Sequence, residues 1–441
     1  MGRVRTRLRA GAVVGAAALG VAGGPQGAAH ADGAAPQPAP AYRAADGAEP
    51  VEGKPSTADA PEIKSGGVYA DTLAPGERVY RLVLAKDESN VYVSAVVRPA
   101  AGAKVTGSDG IEVEVMTTAG RSCPESTGRA NFGYDPVPVS AVGVRRGSED
   151  DDCAPAGVYY AKVTRTAAKG SDQSPWPLEL KVQREPGRGA GAPTAAPSTW
   201  PSGAPDLPGT EAVPRTGGTG FNDARALGSG VWRDEMRPGQ TRFYRVPLDW
   251  GQQLGLSAEL AAAKLTKQYG SASNGLTVSL YSPYRGLVSY KDVSYDGKQA
   301  AVTLEETAPV AYENRFSRDT DVQRAGIAGW YYVAVTMGGK VADFTEDAVP
   351  VPLTLRLDVA GTPAGAPAYK ESPAAGGFGV AAGDRDAAKR GLTAPEAAEA
   401  ADEQSVMRAV AAAGFSAGTL LLLALGGWTL LARRGRGATA G

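Results

Sequence analysis

The chain has 441 residues, with 46 Lys and Arg against 47 Asp and Glu, so its formal net charge is only −1. Basic residues are scattered except at the two ends, which leaves no electrostatic footprint for a nucleic-acid partner. The one histidine, His30, lies in the N-terminal segment read below as removable, and its loss excludes Ser-His-Asp and Cys-His catalysis and every His-containing zinc site.

In chain order, Arg3, Arg5, Arg7 and Arg9 precede an apolar run over 11–23, and Ala29-His30-Ala31 offers a small-x-small cleavage site. This order predicts a secretory signal peptide over 1–31, followed by a disordered segment over 32–54. No two of these arginines are adjacent and no cysteine lies near the cleavage site, which argues against a twin-arginine signal and an N-terminal lipid anchor.

Residues 55–185 read as a first β-sandwich module. GVYADTLAPGERVYRLVL begins at Gly67, VYVSAVV at Val91, GIEVEV at Gly110, AGVYYAKVT at Ala156 and DQSPWPLELKV at Asp172. Val91, Val93 and Ala95 alternate with Tyr92 and Ser94; Ile111, Val113 and Val115 with Glu112 and Glu114; Leu178, Leu180 and Val182 with Glu179 and Lys181. Period-2 alternation predicts strands with the apolar set buried and the polar set in water. Cys123 and Cys153, the only cysteines, are expected to pair in an oxidising compartment. The acids at 149–152 lack the spaced pattern of a calcium loop and read as solvated, so no metal and no cofactor is expected.

A Pro/Gly/Ala-rich stretch over 186–218 reads as a flexible linker, and 219–360 as a second module. Its blocks repeat the first set: GVWRDEMRPGQTRFYRVPL from Gly230, LGLSAEL from Leu254, GLTVSL from Gly275, AGWYYVAVT from Ala328 and DAVPVPLTLRL from Asp347. The same order with nearly constant offset indicates duplication of one module. In each Tyr-Tyr pair the two rings face opposite sides of a strand, so Tyr159, Tyr160, Tyr331 and Tyr332 read as structural markers of the repeat rather than as a doubled active site.

The repeated frame runs from Asp59-Ala60 or Asp223-Ala224, through Pro-Gly before an aromatic-basic strand and a strand containing Ser-Ala, to A-G-x-Y-Y and a closing L-x-L strand. It resembles the bacterial pre-peptidase C-terminal domain over about 57–183 and 221–359. That resemblance implies a jelly-roll-like β-sandwich with an accessory role and no catalytic residue. The fold expected is therefore all-β, two tandem jelly-roll-like sandwiches plus one C-terminal transmembrane α-helix.

Residues 361–408 read as a low-complexity stalk, partly helical, with Thr393 and Glu396 at capping-box spacing. The uncharged apolar run over 409–432 is long enough to span a bilayer, and Arg433, Arg434 and Arg436 open a basic cytoplasmic tail over 433–441. Together these features predict a single-pass type I protein of the cell membrane, with its bulk extracellular. The Ala- and Gly-rich composition resembles that of high-GC Gram-positive surface proteins.

One candidate binding patch stands out, in the second module alone: Tyr281, Tyr284, Arg285, Tyr290, Tyr295 and Asp296, because tyrosines beside Arg and Asp on loops stack on sugars or anchor a protein partner. No nucleophile elbow, phosphate loop or dinucleotide fingerprint is present. The expectation is a non-catalytic surface scaffold that binds an envelope protein or a glycan. The alternatives are a carboxylate-dependent envelope hydrolase and the ectodomain of a signalling complex.

Overall fold

The alternating blocks form strands, and the described residues hold ten strands in each half of the chain. In the first half these are Glu49–Pro50 (β1), Glu62–Ile63 (β2), Val68–Leu73 (β3), Gly76–Leu84 (β4), Asn90–Val97 (β5), Gly110–Thr117 (β6), Gly128–Asn131 (β7), Val139–Arg145 (β8), Gly157–Thr166 (β9) and Trp176–Glu185 (β10). In the second they are Val213–Pro214 (β11), Arg225–Ala226 (β12), Gly230–Met236 (β13), Thr241–Leu248 (β14), Gln253–Leu260 (β15), Ala272–Tyr281 (β16), Leu287–Tyr295 (β17), Ala300–Leu304 (β18), Gly329–Met337 (β19) and Val351–Ala360 (β20). The computed structural model describes residues 42–436 apart from 85–89, 101, 124–126, 134, 148–152, 154, 198, 201–205 and 347–348. The expected signal peptide and the acidic run at 149–152 lie outside the described residues.

The first module pairs a sheet of order β1-β3-β10-β5-β8 with one of order β2-β4-β9-β6-β7, and the second pairs β11-β13-β20-β15-β18 with β12-β14-β19-β16-β17. Adding ten to each strand number of the first module gives the second, so the duplication seen in sequence is a duplication of topology. The sheets are named below by their central strands β10, β9, β20 and β19. In module 1 Val93, Ala95, Leu178, Leu180 and Val182 meet Tyr80, Leu82, Val113 and Val115 across the sandwich. Each such side chain, fully buried, contributes about 1.5–3 kcal/mol. The Cys123–Cys153 disulfide forms in this core, with Cα atoms 5.7 Å apart.

Two polar devices recur with the topology. Tyr80 donates its hydroxyl to Asp71 at 2.7 Å, and Tyr244 does the same to Asp234 at 2.7 Å; each carboxylate also takes a backbone N–H, from Gly53 or Gly217. Tyr159 donates to the carbonyl of Pro155 at 2.7 Å and Tyr331 to that of Ile327 at 2.9 Å, each four residues upstream. A buried hydroxyl must find an acceptor, and both copies solve this identically. The inward tyrosine of each pair is therefore Tyr159 or Tyr331, while Tyr160 and Tyr332 lie on the outer faces.

Alternation alone places Tyr92, Ser94, Glu179 and Lys181 in water, and the structure corrects this. Tyr92, Ser94 and Glu179 are buried and Lys181 is half-buried, because the outer face of the β10 sheet packs against the outer face of the β19 sheet. Val96 joins Phe221, Phe243, Tyr332 and Ala334 in one apolar cluster, and Tyr92 and Val142 join the core cluster of module 2. A sandwich strand whose polar face meets a second sandwich is buried on both sides, a condition that single-module periodicity does not encode.

The low-complexity segments also pack instead of standing off. Gly189 donates to the Ala368 carbonyl and Lys370 to that of Gly187, so the expected linker and stalk run side by side. Phe378 is buried edge-on to Tyr92, with ring centres 5.9 Å apart. A few apolar anchors set among small residues suffice to hold these segments down. A short helix, Thr320–Arg324 (α1), packs on β17, and Ala382–Arg390 (α2) packs on β12 and β14 with Ala387 and Ala388 buried. Gly391, at φ 72°, ends α2 in the left-handed conformation a glycine adopts without strain. The 43-residue helix Ala394–Arg436 (α3) follows directly. The expected capping box forms: Thr393 receives the Glu396 N–H and Glu396 the Thr393 N–H. Glu396 also pairs with Arg225 at 2.7 Å, tying the start of α3 to module 2. By length and composition α3 is able to cross a membrane.

Candidate functional site

The seam between the sandwiches holds two buried ion pairs, Glu179–Arg285 and Glu185–Arg315. β10 supplies two carboxylates six residues apart on its outer face, Glu179 and Glu185. Glu179 takes Arg285 at 2.5 Å, the Asn222 amide at 2.8 Å and the Ala45 backbone N–H at 2.8 Å. Arg285 sits at the tip of the β16–β17 turn with φ 65°, the only non-glycine in the left-handed region among the described residues. A side chain there costs about 1–2 kcal/mol, offset here by the ion pair and by the Arg285 bond to Asn222 at 2.7 Å.

Glu185 is completely buried and receives Arg315 through two nitrogens, at 2.7 and 3.0 Å, with Tyr92, Tyr369 and Asn90 completing its shell. Burial alone would raise the Glu185 carboxyl, but the Arg315 guanidinium together with the bonds from Tyr369 and Asn90 outweighs it and holds the group below its usual value. Between the pairs the Tyr92 and Tyr284 rings stack, with centroids 4.2 Å apart at 12°. Burial, with Arg285 nearby, pushes the Lys181 ammonium down to about 7 against the pull of Glu179.

Beside the second ion pair the seam opens into a cleft of 560 Å³. Its lining includes Tyr312, Phe316, Arg146, Arg188, Arg315 and Lys370. These groups come from the end of β8, from the segment after β10, from the 3₁₀ turn Tyr312–Phe316 and from the segment after β20, so the cleft exists only when the modules are docked. A separate depression of 380 Å³ near the start of α3 gathers Asp46, Asp223, Glu396 and Glu399. Asp223 is engaged by Thr219 and Gly220, and Asp46 by Arg43. Glu396, which burial would raise, is held below its usual value by the Thr393 backbone and Arg225, the opposite of what a general acid needs.

The six residues of the tyrosine-rich loops do not form one exposed patch. Tyr284 and Arg285 are buried in the seam, and Tyr281 is half-buried edge-on to Phe221 at 5.2 Å. Tyr295 is buried and bonds the Ala261 carbonyl, and burial pushes its hydroxyl up to about 12. Tyr290 is 62% exposed, and Asp296 is exposed beside Lys298. Sequence reasoning missed Glu179, Glu185, Arg315 and Tyr92. The signal was in the repeat: the aligned positions of the second copy hold Thr354, Ala360 and Gly255 where the first holds Glu179, Glu185 and Tyr92.

No protein-family model matches the chain, and comparison with curated proteins gives no match either. Among solved structures it is similar to the pre-peptidase C-terminal domain of a collagenase from Bacillus anthracis, at 17% identity over 28% of this chain and 95% of that one, with TM-score 0.19. It is also similar to the CBM22-1–CBM22-2 tandem domain of Paenibacillus barcinonensis Xyn10C, at 14% identity over 67% and 92% of the two chains, with TM-score 0.18. A third likeness is to the CUB1-EGF-CUB2 region of human MASP-1/3, at 7% identity over 66% and 99%, with TM-score 0.17. At these TM-scores the likenesses carry nothing about ligand or activity to this chain.

Proposed function

We propose that the chain is a membrane-anchored, non-catalytic scaffold of the cell envelope that presents its two sandwiches, docked as one body, to another envelope protein. The observation that carries this reading is the seam: two buried ion pairs and a tyrosine stack fix the second module against the first, and Glu396–Arg225 fixes the second module to the start of α3. Such a body holds its free surfaces at a set height and orientation, which lowers the ordering cost of engaging a partner. Of the six loop residues only Tyr290 offers an open ring face, an exposed aromatic of the kind that anchors a protein partner. The test is photocrosslinking in intact cells from an unnatural residue at Tyr290, then purification of the adduct. One reproducible envelope protein is the expected result; no recurrent partner from Tyr290 or from a second site at Tyr269 would overturn the reading.

A further inference from the structure

Resting on the scaffold reading, we infer how the partner is held: β17 accepts an extended segment of another protein as an added antiparallel strand, with a basic, an acidic and a β-branched residue in that order along the partner's chain. Among the described residues, the other edge strands of the four sheets are short or covered. β1, β2, β11 and β12 have two residues each, β7 has four and β18 five, while β8 is buried at all but one position. β17 has nine residues, pairs with β16 alone, and is exposed at Tyr290, Lys291, Asp292 and Ser294. Its counterpart in module 1 is the four-residue β7, so the long open edge belongs to the second copy only.

The register shows which backbone groups of β17 are open. Gly338 donates to the Gly275 carbonyl beside the Leu276–Met337 pair, so Gly275 turns its backbone to β19, and Leu276, Val278 and Leu280 turn theirs to β17. These three stand opposite Val293, Lys291 and Ser289, whose N–H and C=O groups face β16. Tyr290, Asp292 and Ser294 alternate with them and point their N–H and C=O groups outward. α1 closes the stretch at one end, where Arg324 donates to the Leu287 carbonyl, and the buried Tyr295 closes it at the other. Ser289 to Ser294 spans about 17 Å, room for a partner strand of about six residues. Charge order then selects the occupant. In an antiparallel pair outward residues face outward residues, so two copies of β17 pair only in registers that set one residue opposite itself. The two registers that cover most of the stretch set Lys291 opposite Lys291 or Asp292 opposite Asp292, and like charges directly opposite are destabilising. A different chain, with an acid opposite Lys291 and a base opposite Asp292, turns both contacts into attractions. Antiparallel direction puts the base before the acid in that chain, and the residue opposite Tyr290 follows them.

The test titrates the full chain, in nonionic detergent, into fluorescein-labelled peptides and reads fluorescence polarisation. The matched probe is Thr-Val-Lys-Glu-Val-Thr and its control is Thr-Val-Glu-Lys-Val-Thr. Two cross-strand charge pairs change from attraction to repulsion between the probes, so the matched one should bind at least about fourfold more tightly. Exchanging the charges on β17, Lys291→Glu with Asp292→Lys, should reverse that preference. Asp292→Pro removes an outward N–H and no bond to β16, so the melting curve should hold while binding of the matched probe falls at least about tenfold. If Asp292→Pro disturbs the fold, the charge exchange decides alone. No binding of the matched probe at millimolar concentration, equal binding of the two probes, or a preference that the exchange leaves unreversed would overturn the proposal. A wild-type dimer that Asp292→Pro converts to monomer would overturn it too, because the occupant would then be a second copy. Crosslinking from Tyr290 and Tyr269 reads the scaffold function separately: a recurrent envelope partner without any peptide preference keeps that function and removes the added strand, whereas a peptide preference without a recurrent partner does the reverse.

Discussion

Replacing Arg315 with Met tests the seam most directly. The guanidinium lies 2.7 and 3.0 Å from a carboxylate that is completely buried. Two unit charges about 4 Å apart at an effective dielectric constant of about 20 attract by about 4 kcal/mol. Removing one member of a buried pair costs about 3–5 kcal/mol, because the other charge stays behind without its partner. Glu185 would keep Tyr92, Tyr369 and Asn90 as donors, which places the expected loss near the lower end, about 3 kcal/mol. The pair runs from β10 of module 1 to the Tyr312–Phe316 turn of module 2, so this loss falls on docking and spares the sandwich cores. Denaturant unfolding of Arg315→Met should separate docking loss from module unfolding, and small-angle X-ray scattering should give a larger radius of gyration. Glu185→Gln combined with Arg315→Met should recover about half of the loss or more, since no buried charge remains unpaired. A single transition at the wild-type midpoint with an unchanged scattering curve for Arg315→Met would refute the reasoning.

Tyr284→Ala removes a ring stacked 4.2 Å from Tyr92 and should lower docking stability by about 2–4 kcal/mol; a scattering curve and midpoint like those of the wild type would show the stack to be dispensable. Cys123→Ser opens a loop with a sequence separation of 30 and should lower the stability of module 1, by about 3–4 kcal/mol in the chain-entropy model; an unchanged melting transition in calorimetry would mean that the bridge adds nothing. Lys181, at about 7 in the folded chain and about 10.4 unfolded, binds its proton more tightly in the unfolded state, so its penalty is complete below pH 7 and fades as pH rises towards 10. Relative to Lys181→Met, the wild type should therefore gain stability between pH 7 and 10, by at most about 4 kcal/mol, and parallel stability curves for the two proteins would rule this out.

What was legible in the sequence was whatever depends on one strand and its own sheet. The period of two in GIEVEV, the Pro-Gly turns, the repeat blocks and the Thr393/Glu396 cap each describe an interaction between near neighbours or between equivalent positions in two copies. The disulfide was legible because two cysteines in one module leave a single pairing. The seam was not, because Tyr92 and Glu179 look the same whether their strand faces water or a second sandwich. Tyr284 and Arg285 misled in the opposite direction: a tyrosine-arginine turn has the composition of a binding loop, and it is one, but its partner is the β10 sheet of the same chain.

The two modules share a topology, yet each docks through a different sheet, and the aligned residues give the reason. Module 1 uses its β10 sheet; the corresponding β20 sheet of module 2 has Gly255 for Tyr92, Glu259 for Val96 and Thr354 for Glu179, so it lacks the ring, the apolar contact and the anion that made the seam. Module 2 uses its β19 sheet; the corresponding β9 sheet of module 1 has Lys162 for Ala334, Glu114 for Ser279 and Glu112 for Thr277. There Lys162 and Glu114 pair at 2.7 Å and Arg129 pairs with Glu112, which makes a hydrated charged surface of what is an apolar contact in the other copy. A head-to-tail contact between equivalent modules is of the kind that propagates from chain to chain unless something stops it. Here the two sheets left over at the ends are mismatched in charge and shape to the contact already made, so the same pairing closes within one polypeptide after a single step.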